Sequence, residues 1–137
     1  MYMTTGYSGT PLVNKLGIKP GQRIMLVHAP SDYFDWIQTP LSGQLCKQNE
    51  IPELVHLFVK NNKEFIVEMK KLESTIKKNT SVIIWVSWYK KSSGIITDLT
   101  EDVIRQYALQ NGLVDVKVCA VTDTWSGLKL VVPLKKR

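Results

Sequence analysis

The sequence predicts an α/β protein: an open, mostly parallel sheet with helices on both faces, closed at its C-terminal end by an antiparallel β-hairpin. Three observations predict it. Short apolar runs of strand length alternate with amphipathic stretches of helix length, the pattern of βαβ units. Residues 23–29 (RIMLVHA) and 81–88 (SVIIWVSW) are almost continuously apolar, as strands buried on both faces of a parallel sheet are. The last two strand-like runs are separated by a turn too short for a crossover, so they pair antiparallel.

The elements follow in order. Thr10-Pro11 reads as an N-cap and first helical residue. Leu12, Val13 and Leu16 give that short helix one apolar side, and Gly17 ends it. Lys19-Pro20-Gly21 is a turn into the first strand, 23–29. Ser31 or Asp32 caps a brief helix through Ile37, which stops before Pro40. A weak strand over 44–47 and an apolar run over 54–60 (LVHLFVK) come next. Residues 63–78 are the clearest helix, with Phe65, Ile66, Met69, Leu72 and Ile76 on one face. Residues 81–88 are the strongest strand. Residues 100–111 form a second helix, with Glu101 and Asp102 in its first turn and Gly112 behind it. Strands 114–121 and 128–132, joined by the turn 122–127, make the terminal hairpin. Right-handed crossovers then give a Rossmann-like three-layer open sheet. In topology this arrangement is similar to the class I S-adenosylmethionine methyltransferase fold.

Composition narrows the class. A chain of 137 residues with 44% apolar and 22% charged residues fits one globular domain, 1–137. No apolar run approaches the roughly 20 residues of a membrane span, and residues 1–10 lack the basic start and apolar stretch of a signal peptide. The expected compartment is the cytoplasm, with no membrane partner. Cys46 and Cys119 are far apart and form no CxxC, so they read as reduced, packed thiols. Neither histidine is near a cysteine, and no metal site is expected. The net charge of +6 attracts anions. The lysines nevertheless alternate with acids along the chain, which favours solvated surface over a nucleic-acid footprint. Lys135, Lys136 and Arg137 read as a frayed charged end. A protein partner stays open.

Ligands of open α/β sheets bind beyond the carboxyl ends of the strands. That rule selects His28 with Ala29 and Pro30, the stretch 87–94 (SWYKKSSG), the turn 123–127 (DTWSG) and the segment 6–10 (GYSGT). Lys90 and Lys91 bring positive charge, while Ser92, Ser93, Gly94 and Thr97 offer hydroxyls and accessible amides. Tyr7, Trp88 and Trp125 supply flat apolar walls. Ser8, Thr10, His28 and Ser126 complete the candidate ligand-binding set. Set against this, Ser93-Gly94 reads equally as a turn, His28 as a hydrogen-bonded structural residue, and Trp125 as a cover over the sheet edge. Asp98, Thr100, Glu101 and Asp102 read as helix capping, and His56 and Trp85 as core.

Several signatures are missing. The loop after the first strand, HAPSDYF, has no GxGxxG and no P-loop. Lys47 and Gln48 stand where an acidic residue would hold a ribose. No GxSxG elbow occurs. No motif names a cofactor or a catalytic set.

The segments GYSGTPLVNKLGIKPGQ, WYKKSSGIITDLTEDVIRQYAL and GLVDVKVCAVTDTWSGLKLVV resemble a small bacterial family catalogued as a domain of unknown function. The resemblance spans almost the whole chain, and its most specific parts are KKSSG-x3-TDLTED and VCAVxDTWSGLKLV. It departs from the family pattern at Tyr89, where proline is common before KKSSG. The resemblance implies a small Rossmann-like bacterial protein and supplies no activity. The expected function is therefore a module binding a small anionic or nucleotide-like ligand. A divergent S-adenosylmethionine-dependent methyltransferase-like enzyme is the first alternative, and a nucleic-acid-associated basic protein the second.

Overall fold

The computed structural model describes residues 9–137; Tyr7 and Ser8 lie outside the described residues. The strongest apolar run becomes the spine of the sheet. β3 (Ile83–Tyr89) pairs in parallel with β2 (Leu54–Phe58), and β2 pairs in parallel with β1 (Ile24–Val27). On the other side β3 pairs antiparallel with β5 (Trp125–Val131), which pairs antiparallel with β4 (Val114–Ala120). The five strands run in the order β1-β2-β3-β5-β4. The last strand is thus inserted between β3 and β4, and four strands share one direction.

Side-chain alternation divides the core into two layers. Val55, Leu57, Ile84, Val86, Leu128 and Leu130 face α3 (Asn62–Lys71), α4 (Glu73–Lys78) and α5 (Glu101–Gln110). Leu54, Phe58, Trp85 and Trp125 face α1 (Leu12–Leu16) and α2 (Tyr33–Ile37). Trp85 Nε1 donates to the Leu16 carbonyl at 2.9 Å, tying α1 to the sheet. The fold is the three-layer Rossmann-like sheet that the sequence predicts. Among the described residues no helix is long and apolar enough to cross a membrane.

Local differences have physical causes. β1 is an edge strand, and of its residues only Ile24 is buried, so the run 23–29 is not enclosed on both faces. The weak strand at 44–47 reduces to a single parallel bridge between Leu45 and Ile24. The long helix 63–78 divides at Leu72, whose N–H is shared between the carbonyls of Glu68 at 3.2 Å and Met69 at 3.1 Å, a locally tightened turn that no residue type announces. Pro11, not Thr10, holds the cap position of α1, and no side chain caps that helix. β5 begins at Trp125, so Trp125 and Ser126 belong to a strand rather than to the hairpin turn. The C-terminal end is ordered: Leu134–Lys136 form a 3₁₀ turn, and Arg137 Nε donates to the Val132 carbonyl at 2.9 Å.

Candidate functional site

The carboxyl end of β3 delivers consecutive residues to opposite faces of the sheet. Trp88 points into the α3–α5 layer and Tyr89 into the α1–α2 layer. Beyond them Lys91–Ser93 form one 3₁₀ turn, closed by Gly94 in the left-handed region at φ 79°. Ser93 Oγ donates to the Lys90 carbonyl at 2.6 Å and accepts from the Ile95 N–H at 3.2 Å. Thr97 Oγ1 donates to the Lys60 carbonyl at 2.7 Å and accepts from the Leu99 N–H at 3.1 Å. Asp98 accepts from the Asn62 N–H at 2.8 Å. The loop is thereby pinned to the end of β2 before Thr100 caps α5 by accepting from the Val103 N–H.

This pinned loop walls a cleft of about 740 Å³ between the end of β3 and the start of α5. Trp88, Lys91, Gly94, Thr97 and Ser126 all line it. Ser126 reaches it because β5 places that residue directly opposite Trp88, on the same face. Sequence reasoning missed its apolar lip. Ile95, Ile96 and Leu99 contribute, and Ile96 is 97% exposed. An isoleucine pair inside an otherwise polar loop was the available signal.

The cleft is mixed in charge. Glu101 and Asp102 line it together with Lys91, and both accept from the guanidinium of Arg105, which also donates to Asp115 at 3.1 Å. The hydrogen bonds to Asp115 and then Glu101 hold Arg105 still more firmly protonated than usual. An apolar wall, a cation and two anchored carboxylates can together seat a planar body that carries an anionic group and hydroxyls.

The other predicted residues divide. Trp125 packs in the α1–α2 layer, stacked on Tyr89 at 4.5 Å between ring centroids and edge-on to Phe58 at 5.0 Å. Being only 7% exposed, it covers the sheet and does not line the cleft. Lys90, which follows Tyr89 past the end of β3, is not among the residues that line the cleft. Ser92 lies in the 3₁₀ turn, and Thr10 is exposed just before α1. His28 follows β1 in the left-handed region at φ 56°, where a side chain is uncommon. Its Nε2 donates to Glu68 on α3 at 3.0 Å. Burial opposes charge on Glu68, but this bond and the nearby Lys71 ammonium prevail and hold its carboxyl below the usual range. His56 and Trp85 are fully buried, as expected.

No family model matches the chain, and no curated protein matches it. Solved structures do. An uncharacterised protein from Listeria monocytogenes serotype 4b aligns with TM-score 0.57 at 8% identity, over 91% of this chain and 68% of its own. A protein of the NADB-Rossmann superfamily from Streptococcus agalactiae aligns with TM-score 0.53 at 10% identity, over 90% of this chain and 68% of its own. A Streptococcus pneumoniae protein described as a "putative" tRNA methyltransferase aligns with TM-score 0.51 at 8% identity, over 88% of this chain and 67% of its own. The fold is therefore one shared with Rossmann and methyltransferase-like proteins.

Proposed function

We propose that the protein is a binding module for a small nucleotide-like anion, seated in the cleft at the carboxyl end of β3. The observation that carries this reading is the convergence of Trp88, Lys91, Thr97 and Ser126 on one cleft with Glu101 and Asp102. A nucleotide offers a partner to each group. Its base lies against Trp88 and the isoleucines, its phosphate meets Lys91, and its ribose hydroxyls meet the carboxylates, as in dinucleotide folds. On the same reading the chain belongs to the small bacterial family that its motifs resemble.

A divergent methyltransferase is the second reading, favoured by the antiparallel β5 inserted beside β3. Against it stands His28, whose side chain occupies the turn where glycine would admit a cofactor.

Titration calorimetry and melting scans with adenosine monophosphate, S-adenosylmethionine and inorganic phosphate separate the readings. At 100 times its dissociation constant a ligand stabilises by about 2.7 kcal/mol, a rise of roughly 8–10 °C at this size. A nucleotide shift that Lys91→Ala removes supports the module. A shift with S-adenosylmethionine alone supports the enzyme, and no shift with any of the three refutes the cleft as a small-anion site.

A further inference from the structure

We propose that the groove between α3 and α5 is a binding site for a primary ammonium group carried on an aliphatic chain. The groove holds about 340 Å³ and adjoins the cleft, since Asp102 lines both; its chemistry is independent of what fills the cleft. Asn62 opens α3 and Asp102 lies in the first turn of α5. Both helices start just past the carboxyl ends of their strands, so the two residues make a polar head at that edge of the sheet. Beyond them Ile66, Val103 and Tyr107 make an apolar floor, with Tyr107 held edge-on to Phe65 at 5.1 Å. The exposed Gln106 and Gln110 complete the lining.

The head is made of acceptors. Asn62 Oδ1 is shielded from solvent, yet among the described residues no donor reaches it, and a buried acceptor left unpaired is costly. Asp98 stands beside it, accepting from the Asn62 N–H at 2.8 Å. Asp102 accepts from Arg105, but that one guanidinium also serves Glu101 and Asp115, so three carboxylates share a single positive charge. The helix starts offer an anion little in return. The N–H groups of Asn62, Glu64 and Val103 already donate to Asp98, Asn61 and Thr100. A primary ammonium carries three donors and no acceptor, which matches Asn62 Oδ1 and the two carboxylates. Its stem lies along Ile66 and Val103, as lysine stems lie along apolar surface, and the Tyr107 ring offers a face to the charge. A hydroxyl brings one donor and no charge, and a carboxylate brings only acceptors to a head already made of them.

The test is a titration of the isotope-labelled protein with n-butylammonium chloride in an amine-free buffer at neutral pH, followed by amide chemical shifts. A ligand this small is expected to bind in the millimolar range, with saturable shifts at Asn62, Ile66, Val103 and Tyr107. Under the same conditions n-butanol is expected to bind more weakly, and sodium butyrate not at all. Asn62→Ala removes the orphan acceptor and is expected to weaken butylammonium roughly tenfold, since bonds to charged groups are the stronger ones. Asp102→Asn, at a side chain 89% exposed and so outside the core, is expected to weaken it as well. No saturable shift in the groove, the same shifts with sodium chloride or butyrate, or unchanged affinity in both variants would each overturn the proposal.

Discussion

His56 Nε2 lies 2.7 Å from Ser87 Oγ, and both residues are fully buried between the sheet and α2. The other ring nitrogen lies 2.9 Å from the Tyr33 hydroxyl, and Phe58 stacks on the ring at 4.4 Å. The neutral imidazole, with one donor and one acceptor, is fully satisfied by two hydroxyls. A proton would place an unpaired charge in the core.

Acid should therefore destabilise the protein through this group. Burial pushes the His56 pKa down to about 3, while in the unfolded chain it is near 6.5. Between these values the unfolded state binds the extra proton, so stability falls as pH falls. The expected slope is about 1.4 kcal/mol per pH unit. Urea unfolding at pH 7.5 and 5.5, compared with His56→Gln, checks it. The variant should lose this part of the slope, and an equal slope in both proteins would refute the assignment.

Gly127→Ala should destabilise by roughly 1–3 kcal/mol. A Cβ there would lie 3.1 Å from Val121 Cγ2, 3.3 Å from Trp85 Cε3 and 3.5 Å from Ser87 Oγ. Val121 and Trp85 are buried and have little room to yield. Glycine in this strand makes room for the indole and for the Ser87 hydroxyl. Denaturant midpoints at neutral pH measure the effect.

The sequence carried the fold well because its strands are apolar runs and its long helices are amphipathic. β2, buried at every position, and α5, with Thr100 at its cap and acids in its first turn, lie close to where the pattern puts them. What patterning did not carry was lateral position. Nothing local tells β1 that it lies at an edge, or Trp125 that it begins a strand. Trp88 and Trp125 look equivalent as rim aromatics, yet the register sends them to opposite faces. The cleft was legible through Lys91, Thr97 and Ser126, while Ile95 and Ile96 were hidden by the expectation that binding loops are polar.

That division predicts opposite phenotypes. Trp125→Ala should cost about 3–5 kcal/mol by removing a buried aromatic, with little change in nucleotide affinity at a temperature where the variant remains folded. Lys91→Ala should leave the melting temperature nearly unchanged and weaken the nucleotide, because Lys91 is exposed on the cleft. Parallel melts and titrations of the two variants decide the matter. A Lys91→Ala protein that binds as the parent does would remove this lysine from the site.

Thr97→Val tests whether the cleft depends on its pinned loop. The substitution keeps the shape of the side chain and removes the hydroxyl that bridges the Lys60 carbonyl and the Leu99 N–H. The bond to the Lys60 carbonyl is exposed and that from the Leu99 N–H half-buried, so the stability loss should be about 0.5–1.5 kcal/mol. Affinity should fall further than that loss alone explains, because the lip formed by Ile95 and Ile96 is no longer held against the end of β2 and must be ordered when the ligand binds. Hydrogen exchange at the Leu99 amide reports the loosening directly. Faster exchange with unchanged affinity would show that the loop's order is irrelevant to the ligand, and faster exchange with weakened binding would make Thr97 a positioning residue of the cleft.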